Sequence, residues 1–240
     1  MVERPVIFNG EMVMAILAGR KTQTRRVMKQ QPPDGWCPVN SLGVADLVAR
    51  PYTKGVVDRH GCLQAGPDVF GVADETWGAV SPFGKPGDRL WVRECHAQVL
   101  EMDIPAGRHV GPIGTTGSTA RPDLKSRYVY RSDGEMPNVQ WHCLGDSQPV
   151  RWTPSIHMPR KASRILLEIT VVRIERLNDI SEQDALAEGV DDGTSPAAIA
   201  VGWFEKPRKA FRRLWERIYG QECWNSNPWV WVVEFKQVQS

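Results

Sequence analysis

The sequence has few cysteines and no pattern among them. Its 240 residues include five cysteines, an odd number, and no CxxC pair, which argues against a framework of disulfides. The five histidines also lack the close spacing that lets one turn of the chain hold two metal ligands. We therefore expect a reducing compartment, no metal site and no cofactor.

A long hydrophobic run is also missing. The apolar segment 12–18 (MVMAILA) is too short to span a bilayer, and the acidic residues Glu3 and Glu11 precede it. Nothing resembles a secretory signal. These absences predict a soluble, cytoplasmic protein without a membrane partner.

The chain carries little excess charge. Its formal net charge is only +2, which is weak support for a general affinity for nucleic acid. Basic residues nevertheless cluster at 20–29, 160–164 and 206–213. Such clusters can bind phosphate, although a solvated helix face is the commoner explanation for any single one. Hydrophobic residues make up 41% of the chain, enough for a globular protein with a buried core.

The amino-terminal pattern predicts a strand over 5–9 and a helix from Glu11 to about Ala18. Gly19 is a natural stop for this helix, because glycine adopts the left-handed cap conformation without strain. The following stretch, AGRKTQTRRV at 18–27, should then lie in a turn or an incipient strand.

The middle of the chain is rich in Pro and Gly. We expect 30–87 to be largely irregular with short strands, 102–126 to be loop, and strands to form within 84–95 and over 127–131.

The carboxyl-terminal third has clearer patterns. Residues 163–177 and 227–238 predict strands, and 207–219 predicts an amphipathic helix whose apolar face holds Phe211, Leu214, Trp215 and Ile218. A short helix begins after Ser181, where Asp184 completes an acidic capping pattern, and ends at Gly189. Separate helices among several strands favour an α+β fold with a small β-barrel.

Several of these motifs occur in an order that resembles the ASCH domain, a branch of the PUA-like β-barrel superfamily found in a larger form in phage and prophage proteins. They are ILAGRKTQTRR, PGDRLWVRE, the long strand, ISEQDALAEG and WVWVVEF. The resemblance implies one ASCH domain over 1–240, a small barrel with flanking helices, and insertions at about 30–84 and 97–150.

Some small bacterial ASCH proteins are amidohydrolases that deacylate N-acetylcytidine and related nucleosides. The resemblance therefore implies a catalytic Lys-x-x-Thr pair, here Lys21 and Thr24, together with Glu188, and a basic substrate-binding residue at Arg26. The implied substrate is a small acylated nucleoside or nucleobase.

These residue types fit amide hydrolysis in more than one way. A lysine acts as a base only if its pKa falls well below its usual value of about 10.4. Lys21 could activate Thr24 or a water with Glu188 as proton shuttle, or Glu188 could be the base while Lys21 stabilises the oxyanion. Residues three apart face each other in a helical turn but lie on opposite faces of a strand, so Lys21 and Thr24 can cooperate only if the chain turns between them.

A second hypothesis is a module that binds RNA or modified nucleic acid, with or without ribonuclease activity. Trp152 lies in a basic segment bounded by prolines, and an aromatic ring beside cations is what an unpaired base would contact. The alternative is a loop packed by Trp152 and Met158. The candidate binding residues of this segment are Trp152, His157, Arg160, Lys161 and Arg164.

Overall fold

The computed structural model describes residues 1–36, 46–74, 76–101, 125–134, 151–191, 193, 199–200, 202 and 204–238. Most of the loop expected at 102–126, and much of the insertion expected at 97–150, lies outside these residues. Within the part of the chain that is described, no helix is both long enough and apolar enough to cross a membrane.

Ten strands and four α-helices make up the described structure. The strands are β1 (Glu3–Ile7), β2 (Gln23–Val27), β3 (Arg50–Val57), β4 (Leu63–Ala73), β5 (Gly78–Val80), β6 (Arg89–Arg93), β7 (His96–Glu101), β8 (Lys125–Tyr130), β9 (Leu166–Arg176) and β10 (Trp229–Val238). The helices are α1 (Gly10–Leu17), α2 (Glu182–Ala187), α3 (Pro207–Tyr219) and α4 (Gln221–Asn225).

The strands form three sheets, which confirms the expected α+β class. The largest has the order β1-β6-β9-β10-β2, a second has β3-β4-β5, and a third pairs β7 with β8. In the largest sheet β1 and β2 stand at opposite edges, so the described strands do not close into the expected barrel.

The chain divides into two compact units, each built from separate stretches of sequence. The first comprises 1–4, 15–90 and 166–239 and contains β2, β9, β10 and the three-stranded sheet. The second comprises 5–14, 91–165 and residue 240 and contains the β7–β8 pair.

The start and end of α1 follow the sequence prediction. Asn9 accepts a hydrogen bond from the Met12 N–H at 2.8 Å, which caps the helix. Gly19 has a φ of 71° and ends it, and the chain enters β2 four residues later. The stretch AGRKTQTRRV therefore leaves a helix and becomes an edge strand of the largest sheet.

Segment 30–84 contains more regular structure than expected. The strands β3, β4 and β5 pair in antiparallel register, and β4 is 11 residues long. The glycines of this segment favour irregular structure when only the sequence is considered. At Gly71, however, a Cβ atom would collide with the Ala79 carbonyl of the paired strand. Glycine at this position permits close approach of two strands and does not mark a turn.

The core of the first unit lies between the largest sheet and the helices. It is a cluster of Leu177, Ile180, Ala185, Phe211, Trp215, Trp224, Val230 and Val232. Phe211 and Trp215 lie on the apolar face predicted for α3, whereas Ile218 is 43% exposed and does not belong to that core. Ile218 is in the last turn of the helix.

Gly189 and Gly19 form a matched pair for a stability test. Both have positive φ, at 83° and 71°, but only at Gly189 would a Cβ meet neighbours, the Cβ atoms of Ala15 and Lys21, both at 2.8 Å. We expect Gly19→Ala to lower the free energy of unfolding by about 1 kcal/mol, the cost of a left-handed alanine. Gly189→Ala should lower it by about 2–4 kcal/mol, because overpacking adds to that cost.

Urea denaturation of the two variants beside the parent protein measures this difference. Equal losses of stability in the two variants would contradict the close approach of Gly189 to Ala15 and Lys21.

Candidate functional site

The turn after α1 delivers Lys21 to the edge of β2. The N–H groups of Arg20 and Lys21 both bond the Ala15 carbonyl, at 2.9 and 3.0 Å, so the chain reverses within three residues. The next residue, Thr22, donates its N–H to the Ala187 carbonyl at 2.8 Å. This bond ties the start of β2 to the end of α2, so Lys21 lies beside the carboxyl terminus of that helix.

The short helix α2 places Glu188 at this junction. The Ser181 hydroxyl accepts the Asp184 N–H at 3.0 Å, as the capping pattern predicts. Glu188 is the residue that caps the other end of the helix, where its carboxylate meets the negative end of the helix dipole. Gly189 follows with its left-handed conformation, and its lack of a side chain allows Lys21 to approach.

Lys21 and Glu188 form a buried ion pair. The ammonium Nζ lies 2.8 Å from Oε2 of Glu188 and 2.8 Å from its backbone carbonyl oxygen. The two side chains are 0% and 4% exposed. Burial lowers the pKa of Lys21, the Glu188 carboxylate opposes that change, and the charges of Arg26 and Arg25 add to the lowering. The same ammonium also satisfies a carbonyl that the helix end would leave without a donor.

The pair is one end of a longer series of alternating charges, which we call the charge ladder. Its members are Lys21, Glu188, Arg25, Glu175, Asp184, Arg173 and Glu234.

Arg25 continues the ladder from Glu188. Its Nη1 lies 3.4 Å from Oε1 of Glu188, and its Nη2 lies 2.7 Å from Glu175 and 3.5 Å from Asp184. Arg173 contacts the same two carboxylates, at 2.6 and 3.2 Å, and also Glu234. Gln23 steadies Asp184 by donating to its side chain at 3.1 Å and to its carbonyl at 2.8 Å.

The pKa of Asp184 reflects these partners. Burial alone would raise it, but the Ser181 hydroxyl, the Arg25 charge, the Gln23 amide and the Arg173 charge together lower it. The Asp184 carboxylate is therefore held in its charged form, as its position between two arginines requires.

Sheet register separates Thr24 from the ladder. Arg25 is opposite Val232, which is opposite Arg173, so these three side chains share one face. The adjacent row contains Thr24, Val233 and Val172 and points to the other face. Thr24 therefore lies among valines, while Lys21 contacts the same carboxylate as Arg25. The structure brings together Lys21 and Glu188 of the expected catalytic set and turns Thr24 away from Arg25.

Arg26 is half-buried, unlike the pair, and lies opposite Trp231, on the face of β2 away from Arg25. Its guanidinium donates to the Tyr219 hydroxyl at 3.1 Å, at the end of α3, and its charge acts on Lys21. The substrate-binding role expected for Arg26 stays a prediction.

The other expected binding residues belong to the second unit. Trp152 is half-buried, His157 ends a 3-10 helix at 155–157, and Arg160 and Lys161 belong to another at 160–162. His157 and Lys161 are exposed, whereas Met158 between the two helices is buried.

Arg164, which was expected to bind phosphate, is committed to protein partners. It makes paired contacts with Glu94, at 2.9 and 3.1 Å, and with Asp133, at 2.7 and 2.6 Å. Its guanidinium carbon also lies 3.9 Å from the centre of the Tyr130 ring. Such double pairing of a planar guanidinium fixes the local fold, so Arg164 is a poor candidate for a phosphate ligand.

The ladder beyond Lys21 and Glu188 was missed from the sequence. A period of two was visible in β9, where the polar residues Arg173 and Glu175 alternate with apolar ones. Gln23 and Arg25 alternate in the same way on β2. Nothing in the sequence shows that helices cover this face, so the contacts among these charges could not be predicted from it.

A double-mutant cycle tests the energetic coupling of the buried pair. The variants are Lys21→Met, Glu188→Gln and the double substitution. Each single change should lower the free energy of unfolding by about 3 kcal/mol or more, because it leaves a buried charge without its partner. The double variant should recover part of that loss, which gives a large coupling energy.

The pair Lys236–Glu168 is the matched control. It joins the same residue types at the same 2.8 Å, but its side chains are 60% and 27% exposed. Its coupling should be small because solvent screens the charges. Similar coupling energies in the two cycles, measured by urea denaturation, would contradict the buried geometry of Lys21 and Glu188.

Among the described residues, no group of three or more His, Cys, Asp or Glu side chains is placed so that it could bind a metal ion. Comparisons of the chain with protein-family models, with characterised proteins and with solved structures find no match.

Proposed function

We propose that this chain is an ASCH-type protein of the PUA-like superfamily that acts in the cytoplasm as a metal-independent amidohydrolase on N-acylated cytidine-type nucleosides or bases. The observation that carries the proposal is the buried contact of Lys21 with Glu188. The resemblance pairs these two residues, which are 167 positions apart in the sequence.

The position of each partner supports a chemical role. Neither is favoured by its surroundings, since the lysine is buried and the glutamate faces the negative end of a helix. A surface pair would serve stability as well without those penalties. A buried lysine whose pKa is lowered, held against a carboxylate from a distant part of the chain, is typical of catalytic sites.

A water molecule is a better nucleophile here than Thr24, because Thr24 lies on the face of β2 opposite to that of Arg25, beside Val233. In the proposed reaction neutral Lys21 takes a proton from water while the water oxygen forms a bond to the acyl carbon. The carbonyl electron pair moves to oxygen and returns as the carbon–nitrogen bond breaks. Glu188 relays the proton from Lys21 to the leaving nitrogen, so the products are an acid and an amine.

Substitutions at the site test this mechanism. Glu188→Gln and Lys21→Met should each lower the rate of deacylation by a factor of about 100–10,000, the usual contribution of a general acid or base. Thr24→Val keeps the shape of the side chain and removes its hydroxyl; with water as the nucleophile it should retain the rate within a factor of about 10. Chromatography of acylated cytidines incubated with each variant measures the released base.

Lys236→Met and Glu168→Gln are the controls, because they remove the exposed pair of the same type. Circular dichroism verifies that each variant is folded. Unchanged deacylation by folded Lys21→Met or Glu188→Gln would sink the proposed mechanism, and a complete loss in Thr24→Val would make its hydroxyl the nucleophile.

A second candidate is binding of RNA or modified nucleic acid, with or without cleavage. It is favoured by the exposed cation Lys161 and the exposed His157, in the same segment as the half-buried Trp152. Arg164 no longer supports it, because two carboxylates already hold that guanidinium.

Binding of a short single-stranded RNA at increasing salt tests this candidate. Lys161→Glu should weaken binding and make its dependence on salt less steep, because one phosphate contact is lost. Lys54→Glu, on the separate strand β3, is the control. Binding that is absent, or that does not respond to salt, would exclude this candidate, and shorter RNA products would indicate cleavage.

A further inference from the structure

Arg25 is a buried arginine surrounded by carboxylates. Its side chain is 0% exposed, and it faces Glu188 at the end of α2, Asp184 in the first turn of α2 and Glu175 on β9. An arginine does not lose its proton at any ordinary pH. Arg25 therefore places a permanent positive charge beside the Lys21–Glu188 pair.

The two oxygens of Glu188 have different partners. Oε2 lies 2.8 Å from the Lys21 ammonium, and Oε1 lies 3.4 Å from Nη1 of Arg25. We propose that Arg25 is a positioning residue, whose guanidinium, anchored on Glu175, holds Oε1 of Glu188 so that Oε2 faces Lys21. The kinetic part of this inference rests on the proposed function; the geometric part does not.

The contact of Arg25 with Glu175 distinguishes a positioning role from a simple electrostatic attraction to Glu188. The strongest contact of Arg25 is with Glu175, at 2.7 Å, and Glu175 is itself fixed by Arg173 at 2.6 Å. The guanidinium is thus held from the sheet side, and its planar fork can present Nη1 to Glu188. A lysine could not make both contacts, because its single ammonium is not a fork.

The charges around Lys21 give the proposal a measurable consequence. Glu188 contacts Lys21 from α2, and the charges of Arg26 and Arg25 on β2 also act on it. Arg25 repels the proton on Lys21 and also shares the negative charge of Glu188. Removal of Arg25 should therefore raise the pKa of Lys21 on both counts.

Arg173 is a matched control for Arg25. It belongs to the same row of the sheet and contacts the same Glu175 and Asp184. Its third carboxylate is Glu234 instead of Glu188. A role in stability alone would make Arg25 and Arg173 equivalent, whereas a role in positioning Glu188 belongs to Arg25.

The test is a pH titration of Lys21 by NMR, in protein labelled with carbon-13 at the lysine Cε. The Lys21 signal is assigned by its disappearance in Lys21→Met. In Arg25→Met the titration midpoint should rise by about one pH unit or more, and in Arg25→Lys by less. In Arg173→Met, which loosens Glu175 but leaves the Arg25 charge beside Glu188, the midpoint should rise by less than in Arg25→Met. The exposed Lys236 is the internal reference in each sample.

An unchanged midpoint in Arg25→Met, or an equal rise in Arg173→Met, would overturn the proposal. If Arg25→Met does not fold, Arg25→Lys decides, because its midpoint must still exceed that of Arg173→Met. These measurements need no substrate.

A kinetic comparison separates this inference from the proposed function. If the parent protein deacylates acylated cytidine, Arg25→Met should lower kcat, leave KM within a factor of about 3, and move the rising part of the pH profile to higher pH. Arg173→Met, which keeps the Arg25 charge beside Glu188, should move that profile less than Arg25→Met does. If the parent deacylates none of the substrates, the proposed function fails, and the NMR titration still decides the role of Arg25.

Discussion

Burial of the Lys21 ammonium is the constraint on which the arrangement of the first unit depends. A fully buried amine needs an acceptor of opposite charge close by, and Glu188 provides both a carboxylate and a carbonyl at 2.8 Å. The left-handed Gly19, the Thr22–Ala187 bond and the bare backbone of Gly189 all bring the two residues into this contact. Without these features, Lys21 or Glu188 would either be exposed to solvent or be buried without a partner of opposite charge.

Alternation along the strands explains how so many charges coexist with an apolar core. Val230 and Val232 share a face with Arg25, Arg173 and Glu175, so the helices cover valines and charges on the same side of the sheet. Each buried cation of the ladder contacts at least one carboxylate. The opposite face of the same strands holds Thr24, Val172 and Val233. A shift of one residue in the register of β2 would exchange these two environments.

The sequence predicted the elements that have strong local signals. The end of α1 at Gly19, the cap at Ser181, the helix over 207–219 and the last strand all follow from periodicity and capping chemistry. These local signals did not predict which side chains contact each other when the residues are far apart in the sequence. The contact of Arg25 with Glu175 follows only from sheet register, and the pairing of Arg164 with Glu94 and Asp133 only from the fold. The residue types were informative, but their pairing depended on topology.

Opposing influences on one proton make the Lys21–Glu188 pair suited to acid–base work. Burial and the charges of Arg25 and Arg26 disfavour the protonated lysine, while the Glu188 carboxylate favours it. A group held strongly in either form could not both take up and return a proton in one reaction. Glu188 lies within hydrogen-bond distance of the ammonium and is steered by Arg25, so the proton has a short path and a fixed direction. In the proposed mechanism the site depends on these opposing influences on Lys21, burial on one side and the Glu188 carboxylate on the other.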